Sequence, residues 1–307
     1  MVIFDSLRLG DYAIKAKIGS GGMADLYLAE KGGSPGEIVA IKKLRKEFVY
    51  DREFIDLLFS EFETLNRLKH PNIVTAHQWF SKGEDHFIVL EFVDGCTLRA
   101  LLDKIKTINS KIPVPIALEI GIQIADALQY IHTFTDKEKK GICLVHSDLN
   151  PNNILLDRSG LIKLIDFSTA QTTENIIGDT ANKGRGIILY MSPEQAKSEG
   201  VDVRSDIFSL GILLFEMLLG TPPFPGESQL EVYYNLMGKE IAPKTFPIAM
   251  ENDLKMILCK LLQKRKEDRY QTMEEVRLVL RDFKKNSFPS FTLKEIADFL
   301  KPLNEGF

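Results

Sequence analysis

A chain of 307 residues is too long for one minimal core and suits one large or two-lobed unit. Hydrophobic residues at 44% and charged residues at 27% match ordinary soluble globular chains, and a net charge of -4 offers no basic face to nucleic acid. Three widely spaced cysteines, Cys96, Cys143 and Cys259, argue against a disulfide framework or a zinc site, so reduced thiols and a cytoplasmic location are expected. Met1 to Ile18 shows no basic-apolar leader pattern, and no apolar run is expected to reach a bilayer's width, so no membrane span is expected. The richest apolar stretch, Ile207 to Leu219, is interrupted by Ser209, Gly211 and Glu216 and reads as a buried core helix.

The first third is strand-rich. Ala13 to Lys17, Asp25 to Glu30 and Ile38 to Lys43 are short β-favourable runs separated by Gly-rich turns. A helical pattern follows over Phe54 to Leu68, then two apolar runs, Ile73 to His77 and His86 to Phe92. From Leu98 onward helical spacing dominates, with expected helices over Ile116 to His132, Ile207 to Leu219, Asp253 to Leu262 and Thr272 to Phe283. A last helix, Leu293 to Leu300, follows Pro289 and has either the body of the protein or a partner to pack on. Neither an internal repeat nor a low-complexity linker is present. The change near Gly95 predicts an α+β architecture: a β-rich lobe over residues 1–94, a helical lobe over 95–283 and a helical extension over 284–307, with ligand binding expected between lobes.

Gly19-Ser20-Gly21-Gly22 lies between two expected strands. Glycines there let backbone N–H groups approach phosphate oxygens, because no Cβ intervenes; a plain glycine hairpin is the alternative. A dinucleotide fold would need a helix after these glycines, and a strand follows instead. In Val39-Ala40-Ile41-Lys42, strand alternation sets Ala40 and Lys42 on one face. Lys42 either faces phosphate or snorkels at the surface. The expected helix decides between them: Phe54, Leu58, Leu65 and Leu68 form one stripe, Glu61 falls within it, and Glu63 falls opposite. A carboxylate on a buried face needs a cation, and Lys42 is the natural one.

Further on, apolar runs flank the polar loop His146-Ser147-Asp148-Leu149-Asn150-Pro151-Asn152-Asn153. Asp148 can orient an attacking hydroxyl and accept its proton, and Asn153 can offer an amide oxygen to a hard cation; an ordinary Asn- and Pro-rich turn is the alternative. Asp166 ends an apolar strand, suited to holding magnesium.

In order and spacing these elements resemble the eukaryote-like serine/threonine protein kinases of bacteria, over about Tyr12 to Phe283. The resemblance implies a two-lobed protein kinase fold that uses ATP and Mg2+ to phosphorylate serine or threonine of protein substrates. By it, Lys42 holds the α- and β-phosphates and pairs with Glu61, Asp148 is the base, and Asn153 and Asp166 hold the metal. Leu26, Ala40 and Leu155 resemble the apolar slabs around adenine, Glu91 and Val93 the hinge, and Leu90 the residue guarding the pocket behind it. Glu194 resembles an acid that pairs with an arginine, here Arg269, and Asp206 resembles the residue that braces the catalytic-loop backbone. Pro151, two residues before Asn153, is similar to the serine/threonine branch.

The pattern is not kept throughout. Ala24 replaces the third loop glycine and Ser168 the glycine after Asp166-Phe167. Ser147 stands where many kinases have an arginine, Asn150 where a lysine contacts the γ-phosphate, and Ile187 where a threonine bonds that lysine. Asn150 is accordingly expected to act in catalysis as a neutral donor. The rivals are a pseudokinase serving as an ATP-binding scaffold, favoured by these departures, and a small-molecule kinase of the same fold class, disfavoured by Ser192-Pro193-Glu194.

Overall fold

The structure is a computed structural model that describes residues 8–135, 143–167, 171–172 and 188–303. It divides into two units: Met1–Asp94 with Asp166–Ser168, and Gly95–Ile165 with Thr169–Phe307.

The first unit is a six-stranded antiparallel sheet and one α-helix. Strands β1 (Arg8–Leu9), β2 (Tyr12–Ser20), β3 (Ala24–Lys31), β4 (Ile38–Leu44), β5 (Ala76–Lys82) and β6 (Asp85–Glu91) are arranged in the order β1-β2-β3-β4-β6-β5. Ile14, Ala29, Val39, Ile41, Phe87 and Val89 close an apolar cluster on one side, with Leu9 and Tyr12. Helix α1 (Arg52–Arg67) starts at Asp51, whose side chain accepts from the Glu53 N–H and satisfies one orphan donor of the first turn. Its apolar stripe buries Leu58 and Leu65. The run expected at Ile73 to His77 is shifted: Ile73 and Val74 are buried in the approach, and the strand itself begins at Ala76. Burial without ladder pairing looks the same in sequence as a short strand.

The second unit is helical around a small hairpin. Strand β7 (Gly95–Thr97) leads into α2 (Leu98–Thr107) and then α3 (Val114–His132). Strand β8 (Leu144–Val145) precedes the polar loop, β9 (Ile154–Asp157) and β10 (Ile162–Leu164) follow it, and β11 (Gln171–Thr172) pairs back with β8. Helices α4 (Pro193–Ala196), α5 (Val203–Leu219), α6 (Gln229–Gly238), α7 (Asn252–Leu261), α8 (Met273–Ser287) and α9 (Leu293–Leu300) complete it. Helix α5 ends at Gly220, whose φ of 82° is the left-handed conformation that a glycine C-cap adopts without a Cβ clash.

Two expectations are corrected here. Helix α3, at 19 residues, is long and apolar enough to cross a membrane by length and composition, contrary to the sequence reading. It is the core helix of its unit, packed against α5 and α8, and even its polar Glu119, Gln123 and His132 are buried. The boundary expected after Phe283 falls inside α8, which runs on to Ser287. Helix α9 packs on its own unit: Ile296, Leu300 and Leu303 are buried, and Ile296 lies over the β9–β10 turn at Gly160.

Candidate active site

The first unit gathers one group of the expected residues. Opposed residues in an antiparallel ladder share a face. Leu26 opposes Lys42 and Ala40 opposes Leu90, so these four stand on one face, opposite the apolar cluster of Val39 and Ile41. From that face the Lys42 Nζ donates to Glu61 Oε1 at 2.8 Å and Oε2 at 2.6 Å, and lies 3.6 Å from Asp166 Oδ1. Glu61 is 1% exposed, so it depends on this cation.

Burial opposes the Lys42 ammonium, yet Asp166 and then Glu61 outweigh it and hold its pKa above the ordinary lysine range. Burial pushes Glu61 up to about 7; Lys42 pulls it back and Asp166 adds to the rise. One ammonium between two carboxylates gives a group that is net negative when all three ionise. Asp166, the more open carboxylate, has a left-handed φ of 65°, and Phe167 beside it is buried. A non-glycine residue in that region is strained, a condition common at functional sites.

The glycine loop is the β2–β3 turn. Gly19 opposes Leu26, Ser20 opposes Asp25, and the Gly21 N–H donates to the Ala24 carbonyl at 2.8 Å. The Ser20 hydroxyl donates to Asp25, whose carboxylate also meets Lys17. Gly19, Gly21 and Gly22 keep out of the left-handed region, and a Cβ on Gly22 would meet nothing within 4 Å. The fold of the turn therefore does not itself require glycine at 22. Glu91 closes β6, its N–H donating to the Thr75 carbonyl at 2.9 Å and its carboxylate accepting from the Thr75 N–H at 3.1 Å. Val93 follows, half-buried.

The second unit gathers the other group on the loop between β8 and β9. Asn150 Nδ2 donates to Asp148 Oδ1 at 3.0 Å, and Asn153 Nδ2 donates to Asp148 Oδ2 at 2.9 Å. Both amides also reach the Asp148 carbonyl. The loop backbone is anchored by Asp206, 1% exposed, which accepts from the His146 N–H at 2.9 Å and the Ser147 N–H at 3.0 Å. Burial opposes the Asp206 charge, but the His132 ring at 2.8 Å and the loop amides keep its pKa below the usual carboxylate range. The Ile165 N–H, just before Asp166, donates to the Asn153 carbonyl at 3.0 Å. Leu155 lies on β9 opposite Lys163 and Thr97. Arg269 uses all five guanidinium donors: two on Glu194 at 2.7 and 2.8 Å, and three on the carbonyls of Arg204, Gln263 and Lys264.

The sequence reading turned Asn150 toward phosphate. The structure turns its amide onto Asp148, with its oxygen accepting from the Asn152 N–H. His132 went unnoticed, because a histidine ending an apolar helix carries no signal until its distant carboxylate is known. Ser168 and Ile187 lie outside the described residues.

Residues 12–278 match the family described as protein kinase domain. The chain belongs to this family. Membership of this family implies the use of ATP. The kinase chain is 33% identical over 298 residues to the serine/threonine-protein kinase PrkC of Bacillus subtilis, covering 96% of this chain and 44% of that protein. It is 34% identical over 279 residues to the serine/threonine-protein kinase PknB of Mycobacterium leprae, covering 89% and 42%. It is also 30% identical over 296 residues to the tyrosine-protein kinase MasK of Myxococcus xanthus, covering 95% and 46%. The chain thus spans less than half the length of these curated relatives.

Proposed function

We propose that this chain transfers the γ-phosphoryl group of ATP to serine or threonine hydroxyls of protein substrates, with Mg2+. The observation that carries the reading is the Asp148 carboxylate held through both oxygens by Asn150 and Asn153. Such a carboxylate has a fixed direction, and an ionised carboxylate can take a hydroxyl proton. Asp148 orients the acceptor hydroxyl and receives its proton as the new P–O bond forms and the γ-phosphorus bond to the bridging oxygen breaks, releasing ADP. Asn150 serves the reaction by fixing Asp148. Lys42, oriented by Glu61, offers its charge to phosphate oxygens. The Gly19–Gly22 turn, where glycines let the backbone approach closely, faces the phosphates, and Leu26, Ala40, Leu90 and Leu155 supply apolar contact for adenine, with Glu91 and Val93 at its polar edge.

The residues present fit a magnesium ion. Asp166 belongs to a net-negative group of two carboxylates and one ammonium, and Asn153, whose Nδ2 is committed to Asp148, has an amide oxygen to give. When bound, the ion neutralises phosphate charge and aligns the β- and γ-phosphates. Three free cysteines, at Cys96, Cys143 and Cys259, suit a reducing compartment, and we place the domain on the cytoplasmic side.

The serine/threonine assignment rests on Pro151 and on relatives such as PrkC and PknB; the name of MasK supplies the competing acceptor. Incubation of purified chain with ATP, Mg2+ and a generic protein, read by intact mass and then by phosphoamino-acid analysis, tests both points. Phosphoserine or phosphothreonine is expected. Phosphotyrosine alone would reassign the acceptor, and nucleotide binding without any transfer would establish the pseudokinase reading.

A further inference from the structure

The Ser147–Asp148 peptide is held in an unusual way. Ser147 has φ of 65°, in the left-handed region that L side chains disfavour. Such a conformation persists only where its surroundings fix it. Asp206 fixes the Ser147 N–H, and His146 Nδ1 accepts from the Asp148 N–H at 3.3 Å. The remaining polar atom of this turn is the Ser147 carbonyl oxygen, and it accepts from Gln195 Nε2 at 2.7 Å. The serine hydroxyl only reaches the Val145 carbonyl at 3.5 Å, so the side chain at 147 adds little to the hold.

Gln195 is itself fixed from its other end. Its Oε1 accepts from the Ser192 N–H at 2.9 Å and from the Ser192 hydroxyl at 3.1 Å, the capping box of α4. Ser192 is fully buried, and Glu194 between them is clamped by Arg269 and by the Ser205 hydroxyl at 2.7 Å. The amide of Gln195 is therefore a strap of fixed length. One end belongs to the clamped close of the segment after residue 187, and the other holds the peptide whose plane sets the direction of Asp148.

We infer that Gln195 is a positioning residue for Asp148, tying α4 to the catalytic-loop peptide through the Ser147 carbonyl. Ser147 has no cation with which to tie this loop to a phosphorylated segment, and the Gln195 bond supplies a permanent tie instead. The inference rests on the kinase reading for its effect on rate, but not for its effect on the loop.

Two substitutions separate the strap from the cap. Gln195→Glu keeps an oxygen for Ser192 and removes the donor to Ser147. Gln195→Ala removes both. Wild type and both variants are compared by hydrogen exchange over residues 146–149, by melting temperature, and by kcat and KM for ATP. In Gln195→Glu, exchange over 146–149 should speed up at least fivefold, and kcat should fall about tenfold, with KM for ATP within twofold and a melting temperature close to wild type. Gln195→Ala should show the same loop effect with an added loss of stability. Unchanged exchange over 146–149 in both variants would overturn the inference, as would accelerated exchange with kcat within twofold of wild type. If the wild-type chain transfers no phosphate, the kinase reading fails, and the exchange measurement alone decides whether the strap exists.

Discussion

Two buried ion pairs, one in each unit, look alike on paper and behave differently. Glu194–Arg269 joins a carboxylate to a guanidinium with every donor satisfied, and the Glu194 pKa is lowered although burial pushes it up. Lys42–Glu61 joins a carboxylate to a single ammonium that Asp166 shares, and the Glu61 pKa rises to about 7. The difference is one of supply: two guanidinium bonds and the Ser205 hydroxyl outweigh the desolvation of Glu194, while one ammonium shared with Asp166 does not offset that of Glu61. The first arrangement holds a fold together. The second leaves two carboxylates to share one ammonium.

The largest effect should come from breaking the satisfied pair. Glu194→Gln leaves the Arg269 guanidinium buried with no counter-ion, and arginine cannot shed its proton. Breaking a buried pair from one side costs about 3–5 kcal/mol, which urea unfolding of the second unit would show. If Glu194→Gln unfolds within about 1 kcal/mol of wild type, the pair is not structural.

Lys42→Met should divide differently. The orphaned Glu61 can take up a proton near neutral pH, because its pKa already stands at about 7. The stability loss should therefore stay below about 2 kcal/mol, while phosphoryl transfer falls by about two to three orders of magnitude, the usual cost of one preorganised donor. Full turnover in Lys42→Met would end the role proposed for this pair.

A smaller effect is expected at Asn150. Asn150→Ala removes one of the two amides on the Asp148 carboxylate and leaves Asn153 in place. Loss of one hydrogen bond to a charged group corresponds to about 1.5 kcal/mol, or roughly tenfold in kcat. If instead KM for ATP rises while kcat holds, Asn150 faces nucleotide, as its place in the motif first suggested.

What could be read in the sequence follows from how local each signal is. Lys42 and Glu61 were found because strand and helix periodicity each place a residue on a face, and burial then demands a partner. Helix α6 was missed because only Val232 and Leu236 are buried, while Leu230 and Tyr234 face out, so it has almost no stripe. Its capping signal, Ser228 accepting from the Glu231 N–H, was the clue present. The strap from Gln195 to Ser147 spans 48 positions and involves a backbone carbonyl, which no residue type announces. The Asn150 contact with Asp148 is local, but resemblance supplied only the role of the residue it replaces and did not point to this bond.

The subtlest test compares the two carboxylates by pH. Glu194 has a folded pKa below its ordinary value of 4.5, so its contribution to stability is complete above about 4.5 and is lost as pH falls through the folded value. The gap between wild type and Glu194→Gln should therefore be widest near neutrality and close as the solution is acidified below 4.5. Glu61 has the opposite displacement. Its raised pKa favours the folded state most fully below 4.5, and that advantage is lost as pH rises toward about 7. The stability of wild type relative to Glu61→Gln should then fall across the interval from 4.5 to 7, with a slope approaching about 1.4 kcal/mol per pH unit for one full proton. Urea midpoints for the three proteins across pH 4 to 8 measure both slopes at once. Slopes of the same sign would show that the two pairs do one job, and the contrast drawn between them would fall.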